Sequence, residues 1–307
     1  MDTVPDIRAG VSKYRDVVLT VGSFDGIHRG HRLIIDRVTA IARERGGTPA
    51  VLTMKPHPRE FFSPENAPNL LTSDAKKAQL LAEAGVKVLF VLPFDRRTAD
   101  MEPEQFIEVL LRSHCDARTI VVGHDCRFGK GARGDVTMLR ALGGKLGYAV
   151  EEVPPLILGA ERVSSTLVRE RILQGDLAGA QVLLGRAYSL TGVVVRGRGI
   201  GITLGFPTAN VRPHHSAVPA QGVYIAEALV DGVRHPSAVN IGIAPTIRQE
   251  DLTIEAHLLD FSGDLVGKDI EIVFLERLRS EKKFRGREEL QEQIARDIES
   301  ARAHFRK

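Results

Sequence analysis

Between Val17 and His31 the chain reads VVLTVGSFDGIHRGH, and no other stretch restricts the fold as tightly. Val17, Val18, Leu19 and Val21 leave no polar face for water, which predicts a strand inside a parallel sheet covered on both sides. Gly22 permits a tight turn, Gly26 and Gly30 keep side chains away from an approaching ligand, and Arg32 to Arg45 predicts a helix. The first amides of a helix lack partners within it, so such a start attracts anions. His28 and His31, three apart, share one face of the first turn and can donate to one phosphate group. A lone His-x-x-His pair reads as ordinary turn histidines, but strand, glycines and helix in this order favour the phosphate reading.

That strand–turn–helix unit opens a longer alternation. Ala50 to Thr53, Val86 to Leu92 and Ile120 to Val122 predict strands; Asp74 to Ala84, Glu102 to Arg112 and Val136 to Leu146 predict helices. The pattern implies an α/β, Rossmann-like, doubly wound parallel sheet that binds ligands at the carboxyl ends of its strands. After about residue 185 the texture changes to strands with turns between them: Gly192 to Arg196, Gly222 to Val230, Ser237 to Ile241, Leu252 to Asp260 and Asp269 to Leu275. Asp231-Gly232 between two of these is a hairpin signal. An antiparallel β-barrel is expected, closed by a C-terminal helix from about Arg287 to Phe305 with Leu290, Ile294 and Ile298 at helical spacing. The 307 residues thus divide into domains 1–184 and 185–307, in keeping with the usual size of a domain.

Charge and cysteine usage narrow the class. Lys and Arg number 42 against 39 Asp and Glu, a net charge of +3, which is too small to announce a nucleic-acid surface. No apolar run approaches the roughly 20 residues of a membrane helix, and the N-terminus lacks an apolar signal core. Cys115 and Cys126 have no metal-ligand partner at a recognisable spacing and read as reduced thiols. A cytoplasmic protein without membrane or nucleic-acid partners is expected, and a homo-oligomer is compatible with the sequence.

Three further segments of the first half carry candidate chemistry. In RVSSTLVRERI, Arg162, Ser164, Ser165, Thr166 and Arg169 gather hydroxyls and guanidinium groups at a helix start, which suits a polyphosphate. An ordinary serine N-cap explains the hydroxyls equally well. His57 lies between two prolines just after a strand, either a phosphate contact or part of a rigid turn. Asp125, Arg127 and Phe128 follow another strand, where this architecture places ligands, although their loop is also ordinary in composition.

In the second half, RGRGIGITLGFPTAN places Gly197, Gly199, Gly201 and Gly205 so that backbone amides could wrap phosphates, with Arg196 and Arg198 adding charge. Ile202 stands where a dinucleotide fingerprint needs its third glycine, and taken alone the loop reads as a flexible hairpin. Thr208 and Asn210 alternate along an extended segment, so both could offer oxygen to one hard cation such as Mg²⁺, or serve as turn-forming residues. Glu255, between Ile254 and Ala256 in a strand, belongs either to a solvated face or to a general base.

Taken in order, GSFDGIHRGH, PHP, VVGHDCRFGKG and RVSSTLVRERI resemble the adenylyltransferase half of the bacterial bifunctional riboflavin kinase and FAD synthetase family. GFPTAN, GVYIAEALV, NIGIAPTI, TIEAHLLDF and RLRSEKKF resemble its kinase half. The resemblance spans nearly the whole chain and implies a bifunctional flavin-cofactor enzyme that uses ATP and Mg²⁺ to phosphorylate riboflavin to FMN and adenylylate FMN to FAD. It implies that His28, His31, Arg162, Ser164, Ser165, Thr166 and Arg169 act on ATP phosphates, with Gly22, Phe24, Asp25, Gly26, His57, Asp125, Arg127 and Phe128 binding the ligands. It gives Thr208 and Asn210 to Mg²⁺, Glu255 to the catalytic base, and Gly197, Gly199, Gly201, Gly205 and Pro207 to the nucleotide. Ile202, Val266 and Cys126 depart from the residues common in that family. An adenylyltransferase acting on another phosphorylated acceptor, and a flavin or nucleotide sensor, are the alternatives; the first leaves GFPTAN and Glu255 without a task.

Overall fold

The computed structural model describes residues 1–10, 13–197, 199–245 and 250–306. Arg198, and Thr246 with Ile247 of NIGIAPTI, lie outside them. The chain forms two compact units, 1–68 with 74–164 and 69–73 with 165–307.

Strands β1 (Asp2–Val4), β2 (Val17–Val21), β3 (Thr48–Lys55), β4 (Val88–Pro93), β5 (Ala117–Gly123) and β6 (Ala149–Val153) build the sheet of the first unit. Its order is β1-β4-β3-β2-β5-β6 and every pairing is parallel. Helices α1 (Arg29–Arg45), α2 (Pro58–Phe62), α3 (Asp74–Glu83), the single turns α4 (Arg96–Ala99) and α5 (Pro103–Gln105), and α6 (Val136–Leu146) connect the strands, and a short hairpin of β7 (Ile157–Leu158) and β8 (Glu161–Arg162) follows. As the apolar run of β2 requires, Val17 and Leu19 enter one core with Phe90 and Ile120, while Val18 enters another with Val38 and Ile41 of α1. Each buried side chain of that size contributes about 1.5–3 kcal/mol.

From β2 the chain runs outward through β3 and β4, then returns to place β5 on the other side of β2. The ends of β2 and β5 therefore flank the point where the winding reverses, the place where open α/β sheets hold their ligands.

One helix departs from expectation. Glu102 to Arg112 is only the turn α5 followed by a π-helical run, Phe106–His114, closed by the Cys115 amide donating to the Leu110 carbonyl at 3.0 Å. The wider spiral brings Phe106, Ile107, Leu110 and Leu111 inward together.

In the second unit, α7 (Ser165–Gln174) and α8 (Leu177–Leu184) precede a barrel of β9 (Ser189–Val195), β10 (Ala209–Pro213), β11 (Gly222–Val230), β12 (Val233–Pro245), β13 (Glu250–Leu258) and β14 (Asp269–Arg279). The one-turn helix α9 (Ile200–Thr203) lies in the β9–β10 loop, and α10 (Arg287–Phe305) ends the fold. The barrel closes in the order β10-β13-β12-β11-β14-β9, antiparallel throughout. Asp231 (φ 49°) and Gly232 (φ 84°) both take the left-handed conformation that a two-residue hairpin turn needs.

The compact units part after Ser164, whereas the change in sequence texture falls near residue 185. The reason is apolar: α8 buries Leu177, Ala180, Leu183 and Leu184 and packs against β14 of the barrel. Residues 69–73 join the same unit as a strap. The Leu70 amide donates to Ser216 Oγ (2.8 Å), the Leu70 carbonyl accepts from the Ala217 amide (3.0 Å), and Leu71 is fully buried.

An ion pair fixes α10. Arg279 at the end of β14 donates through Nε and Nη2 to the buried Asp297 carboxylate, at 3.1 and 2.7 Å, and Gln293 donates to it at 2.9 Å. Replacing Asp297→Ala leaves a partly buried guanidinium unpaired, so the second unit is expected to lose about 3 kcal/mol in urea unfolding.

Candidate active sites

The loop after β2 is shaped by backbone conformations that ordinary residues seldom take: Phe24 (φ 47°), Gly26 (φ 81°) and Ile27 (φ 37°) all lie in the left-handed region. It delivers His28 to the N-cap of α1, three residues earlier than the periodicity alone suggests, where Nδ1 accepts the His31 amide at 3.1 Å. Because Nδ1 accepts, the proton of neutral His28 sits on Nε2. A Cβ on Gly30 would lie 3.1 Å from the His28 ring, and one on Gly22 would lie 3.2 Å from Phe24.

The imidazoles of His28 and His31 stack with centroids 3.7 Å apart and planes at 17°, and Phe24 packs against His31 at 5.0 Å. Burial first, then the neighbouring His28 ring and the Lys77 ammonium, hold His31 well below its usual pKa of 6.5. Its buried Nδ1 has no hydrogen-bond partner among the described residues. A neutral imidazole with an unmatched polar atom, beside an ammonium and a helix N-terminus, is poised for an anion. Lys77 on α3 carries no sequence motif and was not anticipated; burial depresses its pKa against the pull of Asp74 and Asp25.

The other candidates of the first unit are placed unevenly. Asp25 is buried, and the Arg162 guanidinium on β8 donates to Asp125 after β5 at 2.5 Å. Although partial burial opposes it, Arg162 holds the Asp125 carboxyl below the usual carboxylate range. Arg127 is exposed and donates to the Cys126 carbonyl. Phe128 is turned inward, stacked on Phe106 at 5.5 Å within the sheet's core. His57 caps α2 by accepting the Arg59 amide at 3.2 Å, the rigid-turn role. Beside it, Phe61, Phe62 and Phe94 form a cluster of edge-to-face rings, and Phe62 is 63% exposed. Ser164 is the last residue of the first unit; Ser165, Thr166 and Arg169 lie on α7 of the second, where Arg169 Nε donates to the Asn69 carbonyl at 2.6 Å. Burial pushes both thiols, Cys115 and Cys126, up to about 12, away from the thiolate form that a nucleophilic cysteine uses.

In the second unit the decisive geometry is a register. Asn210 of β10 faces Glu255 of β13, which faces Asn240 of β12, so the three side chains form a row on one face of the sheet. That face is the outer one, because Ile254 and Ala256 point into the barrel. Outward here does not mean open water: α10 and the segment after β14 roof Glu255, which lines a cavity of about 520 Å³ with Thr208, Asn240 and His257. A second cavity of about 510 Å³ is lined by Gly197, Gly199, Pro207, Thr208 and Asn210, with Ile202 and Val266 at its wall. Thr208 belongs to both cavities.

Two loop glycines seat the polar side chains. A Cβ on Gly197 would collide with the Asn210 amide, and one on Gly201 would collide with the Phe206 carbonyl and stand 3.0 Å from Thr208 Oγ1. Gly199 (φ 73°) and Gly205 (φ 85°) take left-handed conformations on either side of α9. The loop is tied down where Arg287 of α10 donates to the Thr203 carbonyl and Gln291 to that of Leu204. Thr208 and Asn210 thus present hard oxygen donors from close-packed seats, a set that suits Mg²⁺. Among the described residues, no group of three or more His, Cys, Asp or Glu could hold a metal ion.

Residues 11–167 match the family model described as FAD synthetase, and residues 184–305 match the one described as riboflavin kinase. The chain is 39% identical over 289 residues to the bifunctional riboflavin kinase/FMN adenylyltransferase of Escherichia coli (strain K12), covering 94% of this chain and 92% of that protein. The Bacillus subtilis (strain 168) protein of the same name is 37% identical over 294 residues, with 94% and 92% covered. A solved structure from Streptococcus pneumoniae, described as a macrolide-efflux protein, superposes with a TM-score of 0.86 at 27% identity over 98% of both chains. No helix among the described residues of this chain is long and apolar enough to cross a membrane.

Two outcomes are expected. Gly201→Ala displaces Thr208, so conversion of riboflavin to FMN is expected to fall about 100-fold or more while FAD formation from supplied FMN persists; rate assays on the two flavins decide it. Below about pH 6.5 an unfolded chain takes up the proton that native His31 refuses, so stability falls as pH drops from 6.5 toward the depressed native value, by at most about 1.4 kcal/mol per pH unit. Urea unfolding at pH 8 and pH 5.5 is expected to show this loss, and His31→Gln to reduce it.

Proposed function

The chain belongs to the bifunctional riboflavin kinase/FMN adenylyltransferase family, and from that membership and the two sites we propose which residues carry each reaction. Its C-terminal half phosphorylates riboflavin to FMN, and its N-terminal half adenylylates FMN to FAD, both with ATP. Residues 1–184 and 185–307 are taken as the two catalytic halves.

In the kinase half, Glu255 accepts the proton of the ribityl 5′-hydroxyl as its oxygen attacks the γ-phosphorus of ATP and ADP departs. The register that sets Glu255 opposite Asn210, with Thr208 on the same face, carries this assignment. Gly197, Gly199, Gly201, Gly205 and Pro207 let the backbone follow the nucleotide. Thr208 and Asn210 would hold Mg²⁺, which when bound offsets charge on the phosphates. The roofed cavity beside Glu255 takes riboflavin, and the glycine-lined one takes ATP.

In the adenylyltransferase half, an FMN phosphate oxygen bonds to the α-phosphorus of ATP, and the bond to the β-phosphate oxygen breaks to release pyrophosphate. No covalent nucleophile is needed; the protein aligns two anions and stabilises the growing charge. His28, from Nε2–H, and His31 serve the phosphates, and Arg162, Ser164, Ser165, Thr166 and Arg169 take polyphosphate roles from the sequence motif. Gly22, Phe24, Asp25 and Gly26 shape the loop, and Asp125 and Arg127 are assigned to ligand contacts, whereas Phe128 packs in the core and His57 caps α2. An anion arriving beside neutral His31 raises its proton affinity, so binding is expected to draw in a proton. Both reactions are assigned to the cytoplasm, where ATP is available.

Glu255→Gln is expected to abolish FMN formation from riboflavin while sparing conversion of supplied FMN to FAD. His28→Ala is expected to do the reverse, with a loss of about 3 kcal/mol of transition-state stabilisation, a few hundredfold in rate. Flavins separated over time from incubations with ATP and Mg²⁺ read both, and parallel loss of the two reactions in either variant would contradict the assignment.

A further inference from the structure

We propose that His257 is a positioning residue of the kinase half, one that holds Thr208 where it acts; the proposal rests on the roles given above to Thr208 and Glu255. Pairing between β10 and β13 covers Ala209 with Ala256 and Asn210 with Glu255, and ends there. Pro207 has no N–H to continue the ladder. Its carbonyl instead meets the His257 side chain, with Nδ1 2.7 Å from the oxygen. The Phe206 ring packs against the same imidazole at 6.1 Å with planes at 89°. His257 therefore grips both residues that precede Thr208, and a Cβ on Gly201 would stand 3.0 Å from Thr208 Oγ1.

A carbonyl oxygen has no proton to give, so Nδ1 donates, and in the neutral ring Nε2 is left as an acceptor. Two residues apart on β13, His257 and Glu255 share a face and line one cavity with Thr208. The side-chain bond thus extends a rigid strand pair by one step, to the point where backbone pairing fails and the site begins. A displacement of about 1 Å in such a group costs about 100-fold in rate.

Two variants separate positioning from bulk. His257→Phe keeps a ring but loses the donor, whereas His257→Asn can set its amide nitrogen where Nδ1 stands. With His257→Phe, kcat for riboflavin phosphorylation is expected to fall about 30- to 100-fold with KM for riboflavin changed less than about three-fold. His257→Asn is expected to recover most of the rate, and both variants to adenylylate supplied FMN as the unaltered chain does. A second readout is Mn²⁺ binding in the presence of ADP, followed by loss of the free-ion electron paramagnetic resonance signal. Here His257→Phe is expected to bind about one fewer Mn²⁺ per chain, and His257→Asn to restore it. Unchanged kcat and Mn²⁺ binding in His257→Phe, a failure of His257→Asn to rescue, or loss of both flavin reactions together would each overturn the proposal. Retained kinase activity in Thr208→Ala and Glu255→Gln would instead overturn the reading on which it rests.

Discussion

The register of β10 against β13 is the constraint on which the kinase half depends. Side chains alternate across a strand, so slipping the pairing by one residue would send Asn210 and Glu255 to opposite faces and turn Ile254 and Ala256 out of the barrel. Burial of those apolar neighbours therefore fixes the polar residues as firmly as any contact they make themselves. The glycine loop adds to this without supplying a functional side chain of its own: Gly197 and Gly201 matter for the atoms they lack, because Asn210 and Thr208 occupy the space.

The first unit solves a related problem by other means. Where the barrel offers hard oxygens and a carboxylate, the end of β2 offers a helix start, a capped imidazole and a second imidazole pressed onto it. Two rings stacked 3.7 Å apart resist being charged together, and burial depresses His31 further. The charge that completes the arrangement must come from the ligand. A site of this kind, with the Lys77 ammonium nearby and its imidazoles held neutral, gains further positive charge only when an incoming anion draws a proton onto His31.

Much of this was legible from residues one to four positions apart. Val17 to His31, the Asp231-Gly232 turn and the span of α10 are local signals, and the structure places them as the sequence implies. Edge strands were not visible, because β1 is three residues long and β6 carries Glu151 and Glu152, paired to Arg37 and Arg140, in place of apolar residues. Glu255 was half legible: alternation correctly turned it outward, but nothing local said that α10 would roof it. Lys77 belongs to no motif and His257 stands inside TIEAHLLDF without a role that the motif assigns, and the surroundings of both come from distant parts of the chain. Phe128 reads in sequence as a loop aromatic at a strand end, yet the approach of Gly134 and Phe106 turns it into core.

The strap at residues 69–73 bears on the order in which the molecule is made. Ser216 and Ala217, which satisfy Leu70, and Thr191, which donates to Ser73, are synthesised long after the strap itself leaves the ribosome. Until they emerge, the nascent first unit carries a loop whose backbone groups and buried Leu71 have no home. Completion of the barrel therefore also finishes a segment encoded in the middle of the other half. A cut at residue 184 would therefore leave the strap on one product and Thr191, Ser216 and Ala217, which satisfy it, on the other.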